Sequence, residues 1–150
     1  MKGMTVIVKE VTKLVSGFIF LYSIYIILYG HLTPGGGFAG GVILACGLVL
    51  LVLAFGREFA QRMYGPRGAA FWDVFGALCF LAVALLGYAA GGIFFRNFLH
   101  RQPGDFTLMS GGIIPVCNMA IGIKVGAGLA GVFLALVMFR LADSVAGERS

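Results

Sequence analysis

Charge is scarce in this sequence. Charged residues make up 11% of its 150 residues, and none stands between Leu14 and Gly56. A water-soluble domain of this length carries about a quarter charged residues. With 60% hydrophobic residues and a mean hydropathy of +1.00, the composition is that of a membrane chain. Metal-ligand sets are absent too. Cys46, Cys79 and Cys117 lie apart in or beside different apolar runs, no C-x-x-C occurs, and His31 and His100 are the only histidines. A metal or iron–sulfur centre needs several close ligands, so the cysteines read as small packing residues and no cofactor is expected on this chain. The pI near 9.4 does not indicate nucleic acid, because the basic residues are scattered at the ends of apolar runs instead of clustering on one face.

What is abundant is apolar length. A helix needs about 20 largely apolar residues to cross about 30 Å of hydrocarbon. Four runs meet this, over about 11–29, 38–55, 72–95 and 116–139. The expected fold is therefore all-α, a single polytopic membrane domain over 1–150 with four transmembrane helices. Residues 14–56 as one helix would be about 65 Å long, so Pro34 and the glycines after it must break the run into a hairpin. Residues 106–115, FTLMSGGIIP, read as an outer loop or half-inserted segment before the fourth span. A signal peptide is the competing reading of the first run, but it shows no clear small-x-small cleavage site.

Basic residues sort by side. Lys2, Lys9, Lys13, Arg57, Arg62, Arg67, Arg140 and Arg149 share one side of a four-span chain, while the other side has Arg96 and Arg101. The positive-inside rule then places both termini in the cytoplasm and the PGGGF turn outside. Trp72, Tyr64 and Tyr29 fall near the expected interfaces.

The stretch HLTPGGGFAG contains G-x-G-x-x-G in Gly35, Gly37 and Gly40. A dinucleotide site would need a preceding strand and an acidic residue about 20 positions on. Here Leu53, Ala54 and Phe55 occupy that region. Thr33 can instead cap the second helix and Pro34 can start it. Gly37, Gly41 and Ala45 share a helix face, and Gly122, Gly126 and Ala130 repeat the device in the fourth helix. Such seams let backbones approach closely, which predicts contact with other membrane subunits. A second reading gives the N–H groups of Gly35 to Gly37 an ion or ordered water to face. Phe18, Tyr22, Tyr25 and Tyr29 form a stripe on the first helix, facing lipid or a protein partner.

Lys124 is the sharpest polar signal. If its helix starts near Val116, the ammonium sits about 12 Å inside. A lysine at mid-helix costs about 2.5–3.5 kcal/mol on insertion scales. Asp73 and Asp105 are placed at loop or interface positions, so the expected partner is water, a carbonyl or an acid on another polypeptide. Outward snorkelling of the side chain is the alternative. Asn118 supplies hydrogen bonds nearby. His31 and His100 read as solvated outer-loop residues, with a proton relay as the other possibility.

Two stretches carry a resemblance. YGHLTPGGGFAGGVILACGLVLLVLAFG (29–56) contains GHxxPGGGF, formed by Gly30, His31, Pro34, Gly35, Gly36, Gly37 and Phe38. IPVCNMAIGIKVGAGLAGVFLALV (114–137) contains N-x-A-x-G-x-K-V-G-A-G, formed by Asn118, Ala120, Gly122, Lys124, Val125, Gly126, Ala127 and Gly128. Both resemble the MnhB-related family, a small component of Mrp-type multisubunit sodium/proton antiporters. The likeness runs over nearly the whole chain, although residues 57–112 are less diagnostic. It implies a small non-enzymatic subunit of the prokaryotic cytoplasmic membrane. Its partners would be other small Mrp-type subunits and large antiporter-like subunits, in a complex exchanging Na+ for H+. Relatives of the module in membrane-bound hydrogenase-type and formate-oxidising complexes add peripheral redox subunits as possible partners. The ion-path candidates are Lys124, Asn118 and His31. The competing readings are a structural adaptor outside the ion path and an independent small transporter, the latter opposed by the absence of an inverted repeat or internal acid pair.

Overall fold

The computed structural model describes residues 4–56, 59, 66–99 and 110–147. Among these residues there are four long helices and no strand: α1 (Val6–Tyr29), α2 (Gly37–Phe55), α3 (Pro66–Gly91) and α4 (Ile114–Gly147). Each contains a segment long and apolar enough to cross a membrane, ending in α4 at Phe139. His100, Arg101, Asp105, residues 106–109, Lys2, Arg57, Glu58, Arg62, Tyr64 and Arg149 lie outside the described residues.

Helix ends differ from those expected of the apolar runs, for local reasons. α1 begins at Val6, not near residue 11, because its charged first turns are helical as well. Lys13 Nζ donates to Glu10 Oε1 at 2.7 Å and lies 5.9 Å from the centre of the Phe55 ring, while Met4 N–H donates to Ala54 O at 3.0 Å. The first turns of α1 are thereby joined to the end of α2. α3 begins at Pro66 instead of Trp72 and ends at Gly91. Proline suits a first helical position, where its fixed φ is already helical and its missing N–H has no intrahelical partner. Asp73 is consequently two turns inside the helix, not at its edge, and Trp72 is carried inward with it.

The α1–α2 turn also differs from the expected capping. The N-cap of α2 is Gly36, without a side-chain cap, and Thr33 instead closes α1: its Oγ1 donates to Tyr29 O at 3.0 Å. The N–H groups of Leu32 and Thr33 reach the same carbonyl at 2.9 and 3.0 Å. Pro34 stands three residues before α2 begins, and the chain turns into the helix through Gly36 at φ 100°, a conformation side chains resist.

α2 lies between α1 and α4, and α3 packs on α4. At 3.6 residues per turn, positions 122 and 124 point about 200° apart. One side of α4 therefore serves α2 while the other serves α3. The α1–α2 contact contains a wholly buried hydroxyl, Ser23, at 0% exposure. It donates to Gly40 O at 2.8 Å, which satisfies it without water. The absent side chain of Gly40 leaves room for Ile27, and Ile27 also reaches α4 at Gly122.

Candidate functional site

The PGGGF turn and the Asn118–Gly128 segment are far apart in sequence and packed together in space. A Cβ on Gly36 would lie 3.5 Å from Asn118 Oδ1, and one on Gly37 would collide with the backbone oxygen of Asn118. One turn further along, a Cβ on Gly41 would stand 2.8 Å from both Gly122 O and Val125 Cβ. Gly126 completes the contact against Leu44, and Ala45 and Ala130 are buried. The seams expected to meet other subunits thus meet each other. Their shared lack of side-chain volume brings α2 and α4 together within the chain.

At the turn end of this contact, His31 is half-buried against Gly111, with Ser110 Oγ 3.4 Å from its Nε2. Asn97 binds the same corner: its Oδ1 accepts from Ile113 N–H at 3.0 Å, and its Nδ2 donates to Gly111 O at 3.4 Å. The residues following α3 are thereby tied to the start of α4. Sequence reasoning passed over Asn97, since nothing local distinguishes it from an ordinary loop asparagine. Within the turn, Pro34, Gly35 and Phe38 are exposed, while Gly36 and Gly37 are buried against Asn118.

Lys124 occupies the other side of α4. Its Nζ donates to Asp73 Oδ1 at 2.8 Å, forming an ion pair between α4 and α3. This corrects the expectation that its partner would be water, a carbonyl or an acid on another polypeptide: the acid is Asp73 of this chain. Two glycines shape the site. A Cβ on Gly76 would stand 2.8 Å from Ala120 O and Lys124 N, so α3 rests directly on the α4 backbone. A Cβ on Gly128 would lie 3.4 Å from Asp73 Oδ1, and the absent side chain leaves space beside the carboxylate. The sequence signal for Asp73 was Pro66: a helix started there carries Asp73 two turns inward.

Among the described residues, no group of three or more His, Cys, Asp and Glu is arranged to hold a metal ion. Cys46, Cys79 and Cys117 are free thiols on separate helices. The aromatic stripe of α1 remains open: Phe18, Tyr22, Tyr25 and Tyr29 line a shallow apolar groove of about 600 Å³. The Tyr25 and Tyr29 rings stack with centroids 5.2 Å apart.

Four apolar helices, a glycine-built contact between two of them and an ion pair between two others define a helical membrane protein with charge inside its span. The chain belongs to the MnhB family: the model for a domain related to the MnhB subunit of Na+/H+ antiporter matches residues 7–131. It is 52% identical over 102 residues to the B-type subunit of the Na+/H+ antiporter of Bacillus subtilis, covering 68% of each chain. An uncharacterized protein of Methanocaldococcus jannaschii is 34% identical over 130 residues, covering 83% of this chain. Among solved structures, a chain of the membrane-bound sulfane sulfur reductase, an archaeal respiratory membrane complex, matches with a TM-score of 0.69 and 34% identity over 86% of this chain. This chain spans 49% of the Methanocaldococcus protein and 56% of the reductase chain.

Proposed function

We propose that this chain is a small membrane subunit of an Mrp-type Na+/H+ antiporter module in a prokaryotic cytoplasmic membrane, where it supports assembly and cation/proton translocation. The family match carries this reading. The Asp73–Lys124 pair supports a direct part in translocation, because charge inside a membrane helix is costly and is characteristic of ion and proton routes. In this reading the chain has no enzymatic activity of its own. It binds no cofactor, and Na+ and H+ are the ions moved by the assembly. Its partners are other small Mrp-type subunits and large antiporter-like subunits. Likeness to a chain of a respiratory complex supports use of the same module beside redox subunits as well as in a stand-alone antiporter.

A structural adaptor is the second reading, favoured by the glycine seams, which find each other within the chain. Transport by fully assembled complexes separates the two. Lys124→Met preserves much of the side-chain length without the charge, and Lys124→Arg preserves the charge in another shape. In inverted vesicles, those Met-variant complexes that assemble should lose most sodium-dependent proton exchange per complex, with Arg intermediate. Full exchange by an assembled Met variant would favour the adaptor.

The proposed orientation puts both termini inside and the Thr33–Gly37 turn outside. Thr33→Cys, in a background lacking the native cysteines, should react with an impermeant maleimide applied to intact cells. Labelling only after the cytoplasmic face is opened would reverse the topology.

A further inference from the structure

The ion pair is closed on only one side. Asp73 lies seven residues after Pro66, about 10 Å along α3, while Lys124 lies ten residues after Ile114, about 15 Å along α4. The register is antiparallel: Ala69 meets Gly131, Asp73 meets Gly128, and Gly76 meets Lys124. Both charges therefore lie within segments long and apolar enough to cross a membrane, Arg67–Gly91 and Ile114–Phe139. Their side chains nevertheless remain 48% exposed for Lys124 and 37% exposed for Asp73. The bond engages one carboxylate oxygen and one of the three ammonium donors. Hydrocarbon would leave the remaining polar valence unsatisfied on this open side. The α2 contact lies on the opposite side of α4, so the chain's own hairpin does not cover it.

We propose that the open side of the Asp73–Lys124 pair is an interface with a membrane-spanning helix of another subunit. That helix presents hydroxyl, amide or charged groups, directly or through water, to the free oxygen and ammonium donors. The proposal deepens the functional reading and rests on its assignment of the chain to a multisubunit complex. A neutral pair needs polar partners more than a full countercharge, which distinguishes this contact from an apolar helix seam. Ala77, four residues from Asp73 on α3, and exposed Ala70, three residues before it, flank the opening.

Photocrosslinking from these positions in the intact complex tests the contact. With p-benzoylphenylalanine incorporated at Ala70 or Ala77, illumination of native membranes should yield an adduct with another copurifying membrane subunit. Peptide mass spectrometry should place it in a transmembrane segment with a polar or charged residue within one turn. Adducts confined to phospholipid, to a second copy of this chain or to purely apolar segments would overturn the proposal, as would absence of an adduct from assembled complexes at both positions. The readout does not require ion exchange. A mapped adduct together with unaltered exchange in assembled Lys124→Met would reject the translocation role while preserving the interface.

Discussion

Gly41→Leu should prevent the chain from accumulating in folded form, even when it is expressed without partners. Its Cβ alone would meet Gly122 O and Val125 Cβ, each at 2.8 Å, and the oxygen belongs to a helix backbone that cannot rotate away. The remaining leucine carbons would have to enter the same contact. Overpacking commonly costs about 1–3 kcal/mol, and separation of α2 from α4 would put this case at or above the upper end. Gly126→Leu should be milder because its nearest obstacle, at 3.0 Å, is the Leu44 side chain, which can change rotamer. Gly17→Ala is the appropriate control, with nothing within 4 Å of the added carbon. Fluorescence-detected size exclusion and thermal stability in detergent should therefore rank Gly17→Ala above Gly126→Leu, and Gly126→Leu above Gly41→Leu. Normal folded yield and stability for Gly41→Leu would remove the close α2–α4 contact from consideration. Loss only after partner subunits are added would restore the intersubunit seam inferred from sequence.

The contrast between these two seam assignments shows where sequence reasoning reached and where it stopped. Apolar length exposed four helix candidates because bilayer thickness imposes a simple local requirement. Glycine spacing exposed two narrow faces, again a local property. Which faces meet depends on helix order and rotation, and neither follows from a periodicity. Asp73 illustrates the same limit. A start at Trp72 leaves the carboxylate at an interface; a start at Pro66 moves it beside Lys124, and their register makes the pair. Thr33 was recognisable as a capping residue, but the direction of its bond was hidden because the Gly36 conformation shifts the start of α2 beyond it. The two family-like motifs singled out residues while leaving unstated that they pack on one another. That contact is a property of α2 against α4, with Gly37 and Asn118 at its turn end.

The strongest functional effects should come from a double-mutant cycle on Asp73 and Lys124. Lys124→Met leaves a carboxylate without its counter-ion; Asp73→Asn keeps an oxygen that accepts from the ammonium but leaves it without its counter-ion. Each single change should weaken assembly by up to about 2.5–3.5 kcal/mol, the insertion cost of a mid-helix charge, unless protonation or a neighbouring subunit compensates. Asp73→Asn/Lys124→Met removes both charges, so its complex yield should recover above the less stable single variant. Such recovery is the sign of direct coupling, whereas independent sites would show losses that add. Assembly and transport then report different things. If charge within the pair participates in translocation, the double variant should assemble and still lose most sodium-dependent proton exchange. The reversed pair, Asp73→Lys/Lys124→Asp, should restore neutralisation and assembly while exchange depends on which helix carries each charge. Measuring yield on native gels and exchange per assembled complex separates these effects. Additive assembly losses would contradict the coupling, and full exchange in the neutral double variant would confine the pair to holding α3 against α4.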